Sequence, residues 1–195
     1  TSSFTKSAVG NFAKVGAAMG AAFGVSQITQ MINDQIKMGV QVKRTSDRLG
    51  IQAEELQKLQ YAGKQYGVQQ DNLTDGLKEM QMRADEFAAT GKGPAAEAFK
   101  RLGLSRSEIQ RVKGDTTALF NLLNQKMQGV SDVASRQRIA DELLGGTGAE
   151  KMVEMISANT SELDKFKQEA KDTGNVISSE TAGKMEQFQK NVENL

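Results

Sequence analysis

The chain has 195 residues, 25 basic against 24 acidic, for a net charge of +1; it lacks the basic surface a duplex-DNA reader needs, which argues against sequence-specific nucleic-acid binding. Cysteine and histidine are both absent, which removes disulfides, thiolate metal sites and the commonest catalytic base. With no tryptophan, 5% aromatics and nineteen glycines against one proline, the composition predicts many helix ends rather than a Pro-rich linker.

The length allows one large or two small domains. The chain opens at Thr1 without a methionine and stops at Leu195 within a helical pattern, so it reads as a piece of a longer protein. Residues 15–25 are apolar and mostly small, and Gly16, Gly20 and Gly24 recur at every fourth position. That spacing lines one helix face with glycine and predicts close approach of another helix. No charge falls between Lys14 and Asp34. The strongly apolar part is only about half of the ~20 residues a membrane span needs, and Ser26, Gln27, Thr29 and Gln30 follow it. Close helix packing is the first reading of residues 8–36, and insertion into a bilayer is the alternative. Val25, Ile28, Ile32 and Ile36 continue a helical stripe. Residues 1–44 are thus expected as one small-residue-rich helix, with 45–195 as a second, multi-helix region.

The next stretch, Arg48-Leu49-Gly50-Ile51, reads as a helix end. Gly50 suits the left-handed position just past the last turn, and flanking apolar residues can close a Schellman-type cap. Two further copies follow: Arg101-Leu102-Gly103-Leu104, and the looser Tyr66-Gly67-Val68. In each, an apolar residue follows the glycine directly and another comes six places after it: Ile51 and Leu56, Val68 and Leu73, Leu104 and Ile109. Between these breaks, helical spacing predicts helices over 52–66 (Leu56, Leu59, Gly63, Tyr66) and 69–89 (Leu73, Leu77, Met80, Ala84, Phe87). Residues 90–94 read as a loop, with Pro94 in the first turn of a helix carrying Ala95, Phe99 and Leu102.

Ser105 and Glu108 fit a capping box. Asp115 is the N-cap expected for 116–128, with Leu119, Leu122, Leu123 and Met127 on one stripe. Gly129 ends that helix. Ser131 is expected to start the next, 132–144, with Val133, Ile139, Ala140, Leu143 and Leu144 inward. Gly145-Gly146 breaks it, and Thr147 with Glu150 predicts a second capping box leading into Met152, Val153, Met155 and Ile156. Residues 160–172 carry Leu163, Phe166 and Ala170. After Gly174, Ser178 is expected to cap a last helix through Met185, Phe188, Val192 and Leu195. No segment alternates with period two, so no strand is predicted. The fold class read from the sequence is all-α without a sheet: short amphipathic helices with glycine-capped breaks, preceded by one longer helix.

Residues that could carry chemistry do not assemble into a site. The acidic pairs Glu54/Glu55, Asp85/Glu86 and Asp141/Glu142 lie on expected helix faces or first turns, where carboxylates are solvated or cap. Gly145-Gly146-Thr147-Gly148 lacks the preceding strand and the Lys-Ser/Thr pair of a phosphate loop. Acidic residues interrupt nearly every basic cluster, as on mixed-charge solvated faces. No catalytic, cofactor-binding or metal-binding residue is assigned, and the chain is read as a non-enzyme.

The glycine breaks occur in an order that resembles the tape measure proteins of tailed bacteriophages and prophages. The matching blocks are Asp47-Arg48-Leu49-Gly50-Ile51-Gln52-Ala53-Glu54-Glu55-Leu56 with its continuation to Ala62, Tyr66-Gly67-Val68, Gly93 to Ser105 ending in Phe99-Lys100-Arg101-Leu102-Gly103-Leu104-Ser105, Arg138-Ile139-Ala140-Asp141-Glu142-Leu143-Leu144-Gly145, Gly148-Ala149-Glu150-Lys151-Met152 and Gly174-Asn175-Val176-Ile177-Ser178-Ser179-Glu180-Thr181-Ala182. Together they cover roughly residues 45–190. The chain departs from the pattern at Gln52 and Gln69, where the family often has a Ser or Thr cap; glutamine caps poorly, so these junctions are expected to be looser or capped by water. The resemblance implies a structural virion protein in the lumen of the tail tube, made in the host cytoplasm. Its length sets tail length during assembly, and it leaves ahead of the DNA at infection. It also implies a homo-oligomer with a trimer favoured, tail tube and tail tip proteins as partners, and contact with the host membrane at infection. The repeated breaks place this segment beside a long measuring region rather than within a straight ruler.

Overall fold

The computed structural model describes residues 25–193. Gly16, Gly20 and Gly24, and with them most of the 8–36 contact stripe, lie outside the described residues, as does Leu195. Among the described residues there are ten α-helices and no strand, so the protein is all-α. We number them α1 (Val25–Leu49), α2 (Ala53–Gln65), α3 (Gln70–Thr90), α4 (Ala96–Arg101), α5 (Arg106–Val112), α6 (Thr116–Met127), α7 (Val133–Leu144), α8 (Gly146–Ser157), α9 (Thr160–Asp172) and α10 (Ser179–Glu193).

Helix α3 is the central element. Its positions 73, 76, 77, 80, 84, 87 and 88 are all buried, the wide apolar stripe of a helix covered along one side. Helices α5, α6, α7 and α8 pack against it, and α7 and α8 pack on each other. Helix α9 lies along α2, where Tyr66 meets Phe166 edge-on at 5.8 Å. One core runs through α2–α9, from Leu49 to Leu163. Few aromatics suffice for it. Phe87 stacks on Phe99 at 4.8 Å, Phe120 is fully buried, and Met80, Met127, Met152 and Met155 fill the spaces between.

Two of the closest helix approaches run through glycine. A Cβ on Gly148 would sit 3.2 Å from the Cα of Gly76, so α8 crosses α3 almost backbone on backbone. Gly39 of α1 leaves the space that the Met185 side chain of α10 occupies. The small-residue packing expected at residues 16–24 therefore has counterparts among the described residues, at positions whose spacing gave no signal.

Apart from Leu49, which ends α1 within the main core, helices α1 and α10 stand outside it. Gly183 faces Lys43, Met185 packs on Gly39, and Arg44 pairs with Glu186 at 3.5 Å. From Ser179 beside Ala53, through Gly183 at Lys43, to Met185 at Gly39, residue numbers on α10 rise as those opposite fall, so the two helices are antiparallel. Their base is a small separate apolar cluster of Val42, Ala53 and Ala182, with Ile177 against it.

Helix α1 runs unbroken to Leu49, across residues 44 and 45. Three expectations at helix starts need correction. Asp132, not Ser131, caps α7, its carboxylate accepting from the Ser135 N–H at 2.7 Å. Val133 then falls in the first turn and is 70% exposed instead of inward. Helix α8 begins at Gly146 with Gly145 as its N-cap, so Thr147 is not the N-cap that the expected capping box with Glu150 requires. Thr147 already belongs to the first turn.

Candidate functional site

The three glycine junctions share one geometry. Ile51 N–H donates to Ser46 C=O at 3.0 Å, Val68 N–H to Gly63 C=O at 2.8 Å, and Leu104 N–H to Phe99 C=O at 2.8 Å. The glycines themselves donate three residues back, to Asp47, Lys64 and Lys100. This is the paired pattern of a Schellman motif, which occupies carbonyls that the helix leaves free. Gly50, Gly67 and Gly103 have φ of 55°, 72° and 68°, a region costly for any residue with a Cβ. Ile51, Val68 and Leu104 are buried behind the turn, as are Leu56, Leu73 and Ile109 six places on. Leu49 and Leu102, before the glycines, are buried as well. All eight apolar residues converge in the one core.

The helix starts that follow differ. At Ser105 the capping box is complete: Ser105 Oγ accepts from Glu108 N–H, and Glu108 Oε2 accepts from Ser105 N–H at 2.9 Å. Those Ser105 donors hold the Glu108 carboxyl below its ordinary value. Gln52 and Gln69 make no side-chain cap.

At Ala53 the missing cap comes from the far end of the chain. Ser179 Oγ accepts from the Ala53 N–H at 3.2 Å. In return, Glu54 accepts from the Ser179 N–H at 2.8 Å and from the Ser179 hydroxyl at 2.6 Å. The first residues of α2 and α10 thus cap each other, and one carboxylate serves two positive helix ends. Burial pushes the Glu54 carboxyl up, but the Ser179 bonds outweigh it and leave the pKa lowered. Gln57 completes the clasp. Its amide donates to Ile177 C=O at 2.7 Å and accepts from Ile177 N–H at 2.9 Å, as a neighbouring strand would. Ser178 caps α10 as expected, accepting from Thr181 N–H at 3.1 Å.

Other helix ends are also closed from a distance. Leu49 C=O, in the last turn of α1, accepts from Gln81 at 2.7 Å and from the fully buried Thr116 hydroxyl. Arg83 donates to Asp141 C=O at 2.9 Å and Glu142 C=O at 2.7 Å at the end of α7. Arg106 does the same for Ala88 and Ala89 of α3. Buried Asn124 donates to the carbonyls of Ile156 and Ala158 at the end of α8 and accepts from the Thr160 hydroxyl.

Sequence reasoning missed Gln57, Gln81, Thr116, Asn124 and Ser179. Each is an ordinary polar residue whose partner lies 30 or more positions away, so no local pattern marks it. Of the acidic pairs, Glu55 bonds Lys58 at 2.6 Å and Asp85 pairs with Lys113. A groove of about 340 Å³ beside the clasp is lined by Met38, Thr45, Arg48, Gln57, Tyr61 and Asp71, among others. Its walls expose more apolar than polar surface, with carboxamides, hydroxyls, the cations of Arg48 and Lys64 and one carboxylate, Asp71.

Among the described residues, no group of carboxylates is placed to hold a metal ion, and no helix is long and apolar enough to cross a membrane. The chain matches no family model, no curated protein and no solved structure.

Proposed function

We propose that this chain is a structural segment of a tail tape measure protein, packed as helices in the lumen of a phage tail tube and flanking the measuring region. The observation that carries the reading is the ordered series of glycine–apolar blocks between residues 45 and 190. The shared Schellman geometry supports it, because it gives the repeated blocks one physical role: each turns the chain back on itself and plants apolar residues in a common core. The segment acts by folding and packing, as a homo-oligomer with a trimer favoured, against tail tube and tail tip proteins.

The test uses virions of the phage or prophage that encodes the chain. Peptides from residues 45–190 are expected in purified intact tails, protected from external protease, and lost after ejection is triggered. Absence from intact virions, or retention after ejection, overturns the proposal. Membrane insertion by residues 8–36 rests almost entirely on residues outside those described. Flotation of a 1–45 peptide with neutral liposomes discriminates: stable flotation favours insertion, and recovery in the soluble fraction favours helix packing.

A further inference from the structure

The α1–α10 pair has the geometry of a strap. Both ends of the described chain leave it at the side away from the core, because the helices are antiparallel and join the body at the Leu49 end of α1 and the Ser179 end of α10. Helix α10 packs on α1, and its start on α2. Beyond Ala182, none of its described side chains is fully buried. On α1, the described side chains before Gly39 are half-buried or exposed, Met38 at 42%. The apolar base is three buried residues, separate from the main core. Beside the apolar contact of Ala182 with Ala53 in this base, what joins α10 to the body is polar: the two Glu54–Ser179 bonds, the Ser179–Ala53 bond and the two Gln57–Ile177 bonds. Helix α1 is held differently, because Leu49 belongs to the main core and its carbonyl is fixed by Gln81 and Thr116.

Tension across two helices that leave a junction side by side peels their contacts one turn at a time, from the free ends inward. The side chains met first are half-buried or exposed, and such regions open at the lowest free energy. The clasp comes last before the body. We propose that the α1–α10 pair is a releasable strap: pulling the two chain ends apart unzips it to the Glu54–Gln57–Ser179 clasp, and opening the clasp frees α10 while α2–α9 stay folded. The device follows from the packing alone and holds whatever assembly the chain serves.

The absence of cysteine makes the experiment direct. Gln30→Cys and Asn191→Cys, both at exposed positions, attach DNA handles for optical trapping of the full chain. Two extensions are expected. The first releases residues 30–44 and 173–191, up to roughly 120 Å of contour at ~3.3–3.6 Å per residue. The second unfolds the body. Glu54→Ala lowers the force of the first step and leaves the second unchanged. A single extension of the whole chain overturns the proposal, as does a first step insensitive to Glu54→Ala. Hydrogen exchange supplies an independent readout with Ser179→Ala, which removes one hydroxyl and keeps the carboxylate. Amides of 177–191 should exchange roughly tenfold faster or more, with 73–88 and 139–156 unaltered. Equal acceleration in both regions would show one cooperative unit and refute a separable strap.

Discussion

At the scale of single residues, the glycines divide into two kinds that the sequence does not distinguish. Gly103 has positive φ and nothing within 4 Å of where a Cβ would stand. Its requirement is purely conformational, so Gly103→Ala should cost about 1–2 kcal/mol. Gly148 has ordinary helical geometry but faces the Gly76 backbone at 3.2 Å. Gly148→Ala gains helix propensity of roughly 1 kcal/mol, yet must push α8 off α3. Because interiors are close-packed and resist such shifts, net destabilisation is expected. Gly114 is the control: it has neither positive φ nor a neighbour within 4 Å. Gly114→Ala should stabilise by about 0.4–1 kcal/mol through the unfolded chain. Urea denaturation of the three variants checks the order, and a neutral or stabilising Gly148→Ala would mean that the helix crossing yields.

At the scale of elements, helix starts hold their carboxylates in the charged form, and this ties stability to pH. Glu54, Glu108 and Asp132 all have lowered pKa values, with Glu54 held by Ser179, Glu108 by Ser105 and Asp132 by Ser135. A carboxyl that is more acidic folded than unfolded contributes stability above its unfolded value, about 4.3 for glutamate. That contribution disappears as the pH falls through the folded value. The chain should therefore lose thermal stability on acidification below about pH 4.5. Glu54→Gln should be less stable than the parent at pH 7, and the gap should narrow as Glu54 protonates. Melting curves from pH 7 to pH 3 test this, and a gap that stays constant would mean that the Glu54 charge contributes nothing. Such linkage was only half legible in the sequence. The capping box at Ser105 could be read because both partners sit within four residues. Glu54 looked like an ordinary first-turn acid of its own helix, whereas its partner is Ser179.

At the scale of the whole molecule, legibility follows the range of the interaction. Helix periods, glycine stops and the caps at Ser105, Asp115 and Ser178 are local, and the structure reproduces them within a residue or two. The errors at Ser131, Thr147 and Val133 come from neighbouring residues competing for one helix start: Asp132 sits one place closer than Ser131, and Gly145 can open α8 with its own positive φ. What the sequence could not supply is which faces meet, since apolar stripes are chemically interchangeable. Phe120 illustrates this, being fully buried although it fell outside the expected stripe of α6. The distribution of the core then sets a last expectation. Leu77 lies fully buried at the middle of α3, within the core that α2–α9 share. Val42 lies in the small cluster at the base of the α1–α10 pair. Leu77→Ala should cost roughly 2–5 kcal/mol of global stability through lost burial and the cavity left behind. Val42→Ala removes apolar surface from a unit that opens below the global free energy, so it should leave the main urea transition nearly in place. Its effect should fall instead on the hydrogen exchange of α10. Equal shifts of the main transition in the two variants would mean that the molecule unfolds as one unit and that the two clusters are separate only in space.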